Sequence, residues 1–265
     1  MSSNPNVFLD TSIQIERFMG PNRKRAAIEE VLADSQTQFI TSNYVFMEFQ
    51  RSVLSNHVTV YNEILAHDDW EMVAYAIRSG QQGFRPRALG QCFQILTKAL
   101  DICERDRQRS RAFLQFHITI DLPRRFWRNV MKLPDPVVCD LVQHGVRHQT
   151  NGSYQIADTC RKATAACHLP DFMTQNRTKL QTISDYLSTH PNVIKNQERV
   201  QQLIRTTITT PRSVLGQSVC WPLGDIIIAL HVPDGAALWT LDADYEPLAD
   251  ALGFSLYSAS ISTRS

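Results

Sequence analysis

Val7-Phe8-Leu9-Asp10-Thr11-Ser12 has the form of a buried parallel strand that ends at a loop and a helix: three apolar residues, then a carboxylate and two hydroxyls. An acid at such a strand end sits on the sheet edge where open α/β proteins place their ligands. Three more acids have comparable settings. They are Glu48, Asp225 in Gly224-Asp225-Ile226-Ile227-Ile228, and Asp242 in Leu238-Trp239-Thr240-Leu241-Asp242-Ala243-Asp244-Tyr245. Two follow strand-like runs and two lie near helix starts, so the four can converge on one sheet edge. A group of carboxylates there suits a hard cation, magnesium or manganese.

Outward from that strand, Arg23 to Leu32 spaces Ala26, Ala27, Ile28, Val31 and Leu32 for one face of an amphipathic helix. Gln38-Phe39-Ile40-Thr41 makes the second strand. Ser42 or Asn43 can cap the helix that follows, and Glu48, one to two turns in, points back toward the strand end. Sheet patterning returns after the turn signal Pro222-Leu223-Gly224. It gives a helix over 225–231, a strand from Ala237 to Leu241, a helix around Tyr245 to Leu252, and a final strand from Gly253 to Tyr257. The polar tail from Ser258 reads as loose.

Between these ends, residues 71–212 read as mainly helical, with helical spacing over Ala88 to Glu104 and Thr178 to Leu187 and no convincing strand pattern. Gly80, Gly83, Pro86, Pro123, Pro134, Pro136, Gly152 and Pro170 punctuate the region. The expected organisation is therefore one α/β domain from residues 1–70 and 213–265, a parallel sheet flanked by helices in three layers, carrying a helical insertion over 71–212.

A net charge of +1 hides segregation along the chain. Residues 71–212 hold 21 Lys+Arg against 11 Asp+Glu, a balance of +10, and the remainder holds 6 against 15, a balance of −9. Of the 27 cations 21 are Arg, whose planar fork suits phosphate oxygens. Arg105, Arg107, Arg109, Arg111, Arg124, Arg125 and Arg128 cluster with Phe113, Phe116, His117, Phe126 and Trp127 between them. Basic and aromatic residues interleaved in this way suit single-stranded nucleic acid, with Arg neutralising phosphate and rings stacking on bases. The alternative is that the rings are helix core and the Arg residues a solvated face.

In the order and setting of its acids the chain resembles the PIN-domain nucleases, the metal-dependent fold that includes the toxin ribonucleases of bacterial toxin-antitoxin pairs. Asp10-Thr11-Ser12 matches the family's first strand end, Glu48 its acid in the helix after strand two, and Asp225 its acid opening an apolar helix. Thr240-Leu241-Asp242-Ala243-Asp244-Tyr245 matches its Thr-x-Asp-x-Asp-Phe, with Tyr for Phe. The resemblance covers residues 5–70 and 213–258 and departs from the family in the long extra stretch between Glu48 and Asp225. It implies a PIN-like fold and a divalent-metal-dependent endoribonuclease. Asp10, Asp225 and Asp242 would be direct or water-mediated ligands of Mg2+ or Mn2+, and Glu48 would bind or orient the water on a second ion. Ser12, Thr240 and Asp244 would support them. Single-stranded RNA is the implied substrate and an inhibitory or scaffold protein the implied partner.

Other readings compete. Each acid has a bland role: Asp10 as a helix cap, Glu48 as a solvated helix residue, Asp225 as an N-cap, Asp242 with Asp244 as a polar turn. A catalytically silent PIN-like scaffold that binds RNA or protein, and a structure-specific DNA nuclease, fit the same residues. A haloacid-dehalogenase-type phosphatase wants a second Asp two residues after the first, and position 12 is Ser. Cys139, Cys160, Cys167, His144, His148 and His168 include no close cysteine pair of the kind tight zinc motifs use. The six cysteines, with Cys92, Cys103 and Cys220, read as scattered reduced thiols. No apolar run of about 18 residues and no secretion-type start is present, so the expectation is a soluble cytoplasmic protein with no membrane contact.

Overall fold

A computed structural model describes residues 6–80, 86–133, 145–156, 167–214 and 216–259. The chain divides into two compact units. The first takes the described residues of Met1–Met47, Asn129–Gln143 and Thr159–Ser265, and the second those of Glu48–Arg128 and His144–Asp158.

The first unit is α/β. Its sheet holds β1 (Asn6–Leu9), β2 (Gln38–Thr41), β3 (Met131–Lys132), β6 (Ala237–Trp239) and β7 (Ser255–Leu256) in the order β3-β2-β1-β6-β7, every pair parallel. Parallel strands are buried on both faces, and β1 obeys this: after exposed Asn6, all of Val7, Phe8 and Leu9 are buried. Alternation sends Val7, Leu9, Phe39 and Trp239 to one face, where they pack with Ile13 and with Ile28 and Leu32. Phe8, Ile40 and Leu238 line the other face, each at most 2% exposed. Each such side chain contributes about 1.5–3 kcal/mol by leaving water, and this burial on both sides holds the strand ends in place.

Two helices follow β1 directly. Thr11–Met19 carries Ile13 inward, and Asn22–Leu32 is anchored to it by an ion pair in which buried Arg17 donates from Nε and Nη2 to both oxygens of Glu29, at 3.0 and 3.1 Å. Between them, a Cβ on Gly20 would meet the carbonyl oxygen of Glu16 at 2.5 Å, so the chain can turn this closely only at glycine. The unit also holds the helices Leu169–Gln175, Arg177–Thr189, Gln197–Thr209, Gly224–His231 and Glu246–Leu252. The last ends at Gly253, whose φ of 75° is the left-handed cap geometry glycine favours.

The second unit is mainly helical. Ser55–Ala66 packs against Trp70–Gly80, Pro86–Ile102 and Arg107–Phe116. Five-residue π-helical stretches, Gln50–Leu54 and His117–Asp121, interrupt its helices. An antiparallel hairpin, β4 (Val146–His148) with β5 (Tyr154–Ile156), is tied to Ser55–Ala66 through Asn62. That side chain donates to the carbonyl of Tyr154 at 2.8 Å and accepts from its N–H at 2.9 Å.

Strands β2, and the helix from the Arg23 region to Leu32, lie where the sequence puts them. β6 and β7 are shorter than expected, ending at Trp239 and Leu256. The expectation that 71–212 holds no strand is corrected by β3, β4 and β5. β3 is two exposed residues long, too short for any alternation to register. The hairpin did leave a signal: Asn151-Gly152, with Gly152 at φ 84°, is a hairpin-turn dipeptide. The compact units also fall elsewhere than the composition cut at 71 and 212, because the helices over 169–209 cluster with the sheet. Counted by unit, the second holds 13 Lys+Arg and 10 Asp+Glu, a balance of +3, and the first 14 and 16, a balance of −2. Most of the segregation seen along the sequence is therefore absent between the units. The residues from 260 onward, in the tail that begins at Ser258, lie outside the described residues.

Candidate active site

The sheet order makes β1 and β6 neighbours from which the chain continues outward in opposite directions, to β2 on one side and β7 on the other. Such a switch point opens a crevice beyond the carboxyl ends of the strands. Asp10 directly follows β1, and Thr240, Leu241 and Asp242 directly follow β6. The Asp10 N–H donates to the carbonyl of Trp239 at 3.0 Å, joining the two strand ends.

Asp10 is 3% exposed and caps the helix Thr11–Met19, with no intervening loop. Its Oδ1 accepts from the Thr11 N–H at 2.6 Å and from the Tyr245 hydroxyl at 3.1 Å. Its Oδ2 accepts from the Ser12 N–H at 3.2 Å, the Ser12 hydroxyl at 2.6 Å and the Thr240 hydroxyl at 2.9 Å. A carboxylate offers about four lone-pair positions, so these five donors engage it fully. The supporting residues are tied in turn: Ser12 Oγ accepts from the Leu241 N–H at 2.9 Å, and Thr240 Oγ1 from the Asp242 N–H at 3.0 Å. Ser12 and Thr240 thus fasten the end of β6 to the end of β1.

Asp242 caps the short turn Ala243–Tyr245, its Oδ1 accepting from the Asp244 N–H at 3.1 Å. Asp225 lies in the first turn of Gly224–His231, where the helix dipole favours an anion, but Leu223 rather than Asp225 is the cap. The Tyr245 hydroxyl stands 3.1 Å from Asp10 Oδ1 and 3.3 Å from Asp225 Oδ1. A phenol has one proton, so it serves one carboxylate at a time, and a protonated Asp225 can return the bond to the phenol oxygen.

The Asp225 carboxyl is pushed up to about 6, first by burial and then by the charges of Asp10, Asp242 and Asp244, with the Tyr245 hydroxyl acting in the opposite direction. The residue nevertheless keeps an exposed surface. Solvent weakens the burial argument there, and the repulsion of three neighbouring carboxylates is the firmer cause. Lys195 faces them. Lys195 Nζ lies 3.2 Å from Asp244 Oδ2 and 3.7 Å from Asp242 Oδ1, and the hydrogen bond to Asp244 together with both charges raises its pKa. No sequence signal marked Lys195, a single lysine in a connection between helices.

Three of the four acids singled out in the sequence, with Ser12, Thr240 and Asp244, thus meet in the first unit. Glu48 opens the second unit, half-buried in the helix Asn43–Phe49 that Ser42 caps through a 3.3 Å bond from the Val45 N–H. The donor set of the crevice fits a hard divalent cation in kind: oxygen only, from Asp10, Asp225, Asp242 and Asp244, with the Lys195 ammonium beside them. Among the described residues, no three His, Cys, Asp or Glu side chains are arranged as a coordination group.

The Arg residues divide. Arg107 donates to the carbonyls of Ile64 and His67 and to the carboxylate of Asp68, closing the end of the helix Ser55–Ala66. Arg125 lies 3.6 Å from Asp121 and Arg109 donates to Glu104 at 2.9 Å. Arg111 is half-buried, whereas Arg105, Arg124 and Arg128 are exposed. Of the rings between them, Phe126 is fully buried core and Phe116 is 51% exposed. Burial pushes the Cys92 thiol up to about 12, the opposite of nucleophile activation. Cys139, His144 and Cys160 lie outside the described residues. No helix of the described residues is long and apolar enough to cross a membrane. Compared with protein-family models, curated proteins and solved structures, the chain matches none.

Proposed function

We propose that this chain is a PIN-like, divalent-metal-dependent endoribonuclease whose chemistry lies at the β1–β6 crevice. One observation carries the reading: burial and then the charges of Asp10, Asp242 and Asp244 push the Asp225 carboxyl up to about 6, and a bound cation would relieve the repulsive part of that arrangement. Mg2+ or Mn2+ would supply an acidified water and charge stabilisation at the phosphate. Asp225 and Asp242, each with accessible surface, would hold the ion. Asp10, its oxygens engaged by five donors, would position Asp225 through Tyr245 and act on an ion indirectly. Ser12 and Thr240 keep the two strand ends in register. RNA as substrate follows from the resemblance, and Arg105 and Arg124, exposed on the second unit, suit phosphate oxygens.

A silent PIN-like scaffold is the second reading, favoured by the saturation of Asp10. Cleavage of single-stranded RNA with Mn2+ decides between them. Asp225→Asn and Asp242→Asn should each lower cleavage by about 100-fold or more, and Mn2+ should raise the wild-type Tm but not theirs. Equal cleavage by wild type and both variants would overturn the assignment, and a wild type that neither cleaves RNA nor responds to Mn2+ would leave the scaffold.

A further inference from the structure

Lys195 stands on the connection between the helices Arg177–Thr189 and Gln197–Thr209, and that connection is held in a defined shape. Buried Gln197 accepts from the Val193 N–H at 2.9 Å and donates to the carbonyls of Leu187 and His190 at 2.7 and 2.8 Å. Asn192 and Asn196 adopt left-handed φ values of 62° and 53°, which asparagine tolerates better than most residues. The backbone under Lys195 is therefore fixed, while its four-carbon stem is 74% exposed and free to swing. At rest the ammonium sits against Asp244 and Asp242, whose side chains are 17% and 38% exposed.

From this geometry we infer that Lys195 is a resident counter-cation of the crevice, which a divalent ion must displace from Asp242 before it can bind. The inference rests on the proposed metal-dependent reading of the same site. An ammonium and a divalent ion repel each other and compete for the same carboxylate oxygens, so loading is an exchange of cations rather than an addition. The exposed stem gives the ammonium somewhere to go. The pinned loop returns it when the ion leaves, which keeps the empty crevice from carrying its full negative charge.

Binding of Mn2+ alone to the full chain, measured by calorimetry at low ionic strength, tests this directly. Lys195→Gln should bind Mn2+ about three- to tenfold more tightly than wild type, the range expected for losing one partly exposed opposing charge. Lys195→Arg should stay near wild type, and Asp225→Asn should lose binding. If Lys195→Gln matches wild type or binds more weakly while Asp225→Asn abolishes binding, the metal site stands and the counter-cation role is wrong. If wild type and Asp225→Asn bind equally, or neither binds, the metal-dependent reading itself fails and takes this inference with it.

Discussion

In the sheet-bearing unit, Asp10 collects hydrogen bonds from Thr11, Ser12, Thr240 and Tyr245, the last two 230 and 235 residues away in sequence. In the helical unit, Arg107 directs its guanidinium at Asp68, Ile64 and His67, about 40 residues away, and closes a helix end. Both are charged side chains that the sequence marks as functional. The acid is held by donors from separate elements at a strand-order switch, where several acids must coexist. The arginine neutralises its own unit's helix terminus, where charge opposes a local dipole and no substrate is required. A cluster in sequence therefore says little about a charged surface, whereas acids at strand ends say much about where they will meet.

The largest effect separating these roles is expected from Arg107→Ala. Losing charge-assisted bonds to two carbonyls and a carboxylate should lower stability by about 2–3 kcal/mol, with no change in the salt dependence of RNA binding. Urea unfolding with a filter-binding salt titration checks both. Unchanged stability with weakened RNA binding would place Arg107 among the nucleic-acid contacts and erase the contrast.

Exposed Arg105 and Arg124 should behave in the opposite way. Their joint replacement by Ala should leave the unfolding midpoint in place and flatten the slope of log affinity against log salt by about 1.4, from roughly 0.7 per phosphate contact on single strands. An unaltered slope would mean that these residues face solvent or a protein partner, and would favour the scaffold reading.

The smallest effect concerns Asp225. Its folded pKa of about 6 lies above the ordinary carboxyl value, so the folded protein holds this proton more tightly than the unfolded chain does. Ionised Asp225 thus disfavours folding, most strongly above pH 6, and the penalty fades as the pH falls through 6 toward 4. In metal-free buffer Asp225→Asn should be more stable than wild type at pH 8 by about 1 kcal/mol, a figure discounted for solvent screening, and equal to it below pH 4. A variant less stable at pH 8 would mean that the carboxylate is held by attraction and that the crowding argument is wrong.

How much of this was legible depended on whether a feature was local. β1, β2 and the helix that opens at Gly224 were readable because apolar runs bounded by Asp, Ser or Gly fix strand ends and helix starts within a few residues. Ser12, Thr240 and Asp244 followed from the same motifs. β3 was not readable, since Met131 and Lys132 pair only because β2 offers them an edge. Lys195 was invisible for a related reason: its position comes from Gln197 and two left-handed asparagines, and neither pattern refers to an acid almost 50 residues on. The Arg cluster was legible as composition, but which of its members reach the surface was not, because burial of Phe126 and capping by Arg107 are decisions of packing. Asn151-Gly152 is a turn signal that the local sequence does carry for the hairpin.

The wide spacing of the strands that meet at the crevice has a consequence for biosynthesis. β1 emerges from the ribosome first, but the sheet order places β6 beside it, and Thr240 follows Asp10 by 230 residues. At about 5–20 residues per second, roughly 12 to 46 s of synthesis separate the aspartate from that partner. During that interval β1 has one of its two flanking strands, and Asp10 has neither the threonine nor the tyrosine that orient it. Asp225 follows Asp10 by 215 residues and Asp242 by 232, so for most of the interval neither stands beside it. A chain halted before Gly224 therefore carries the first acid of the crevice without its partners.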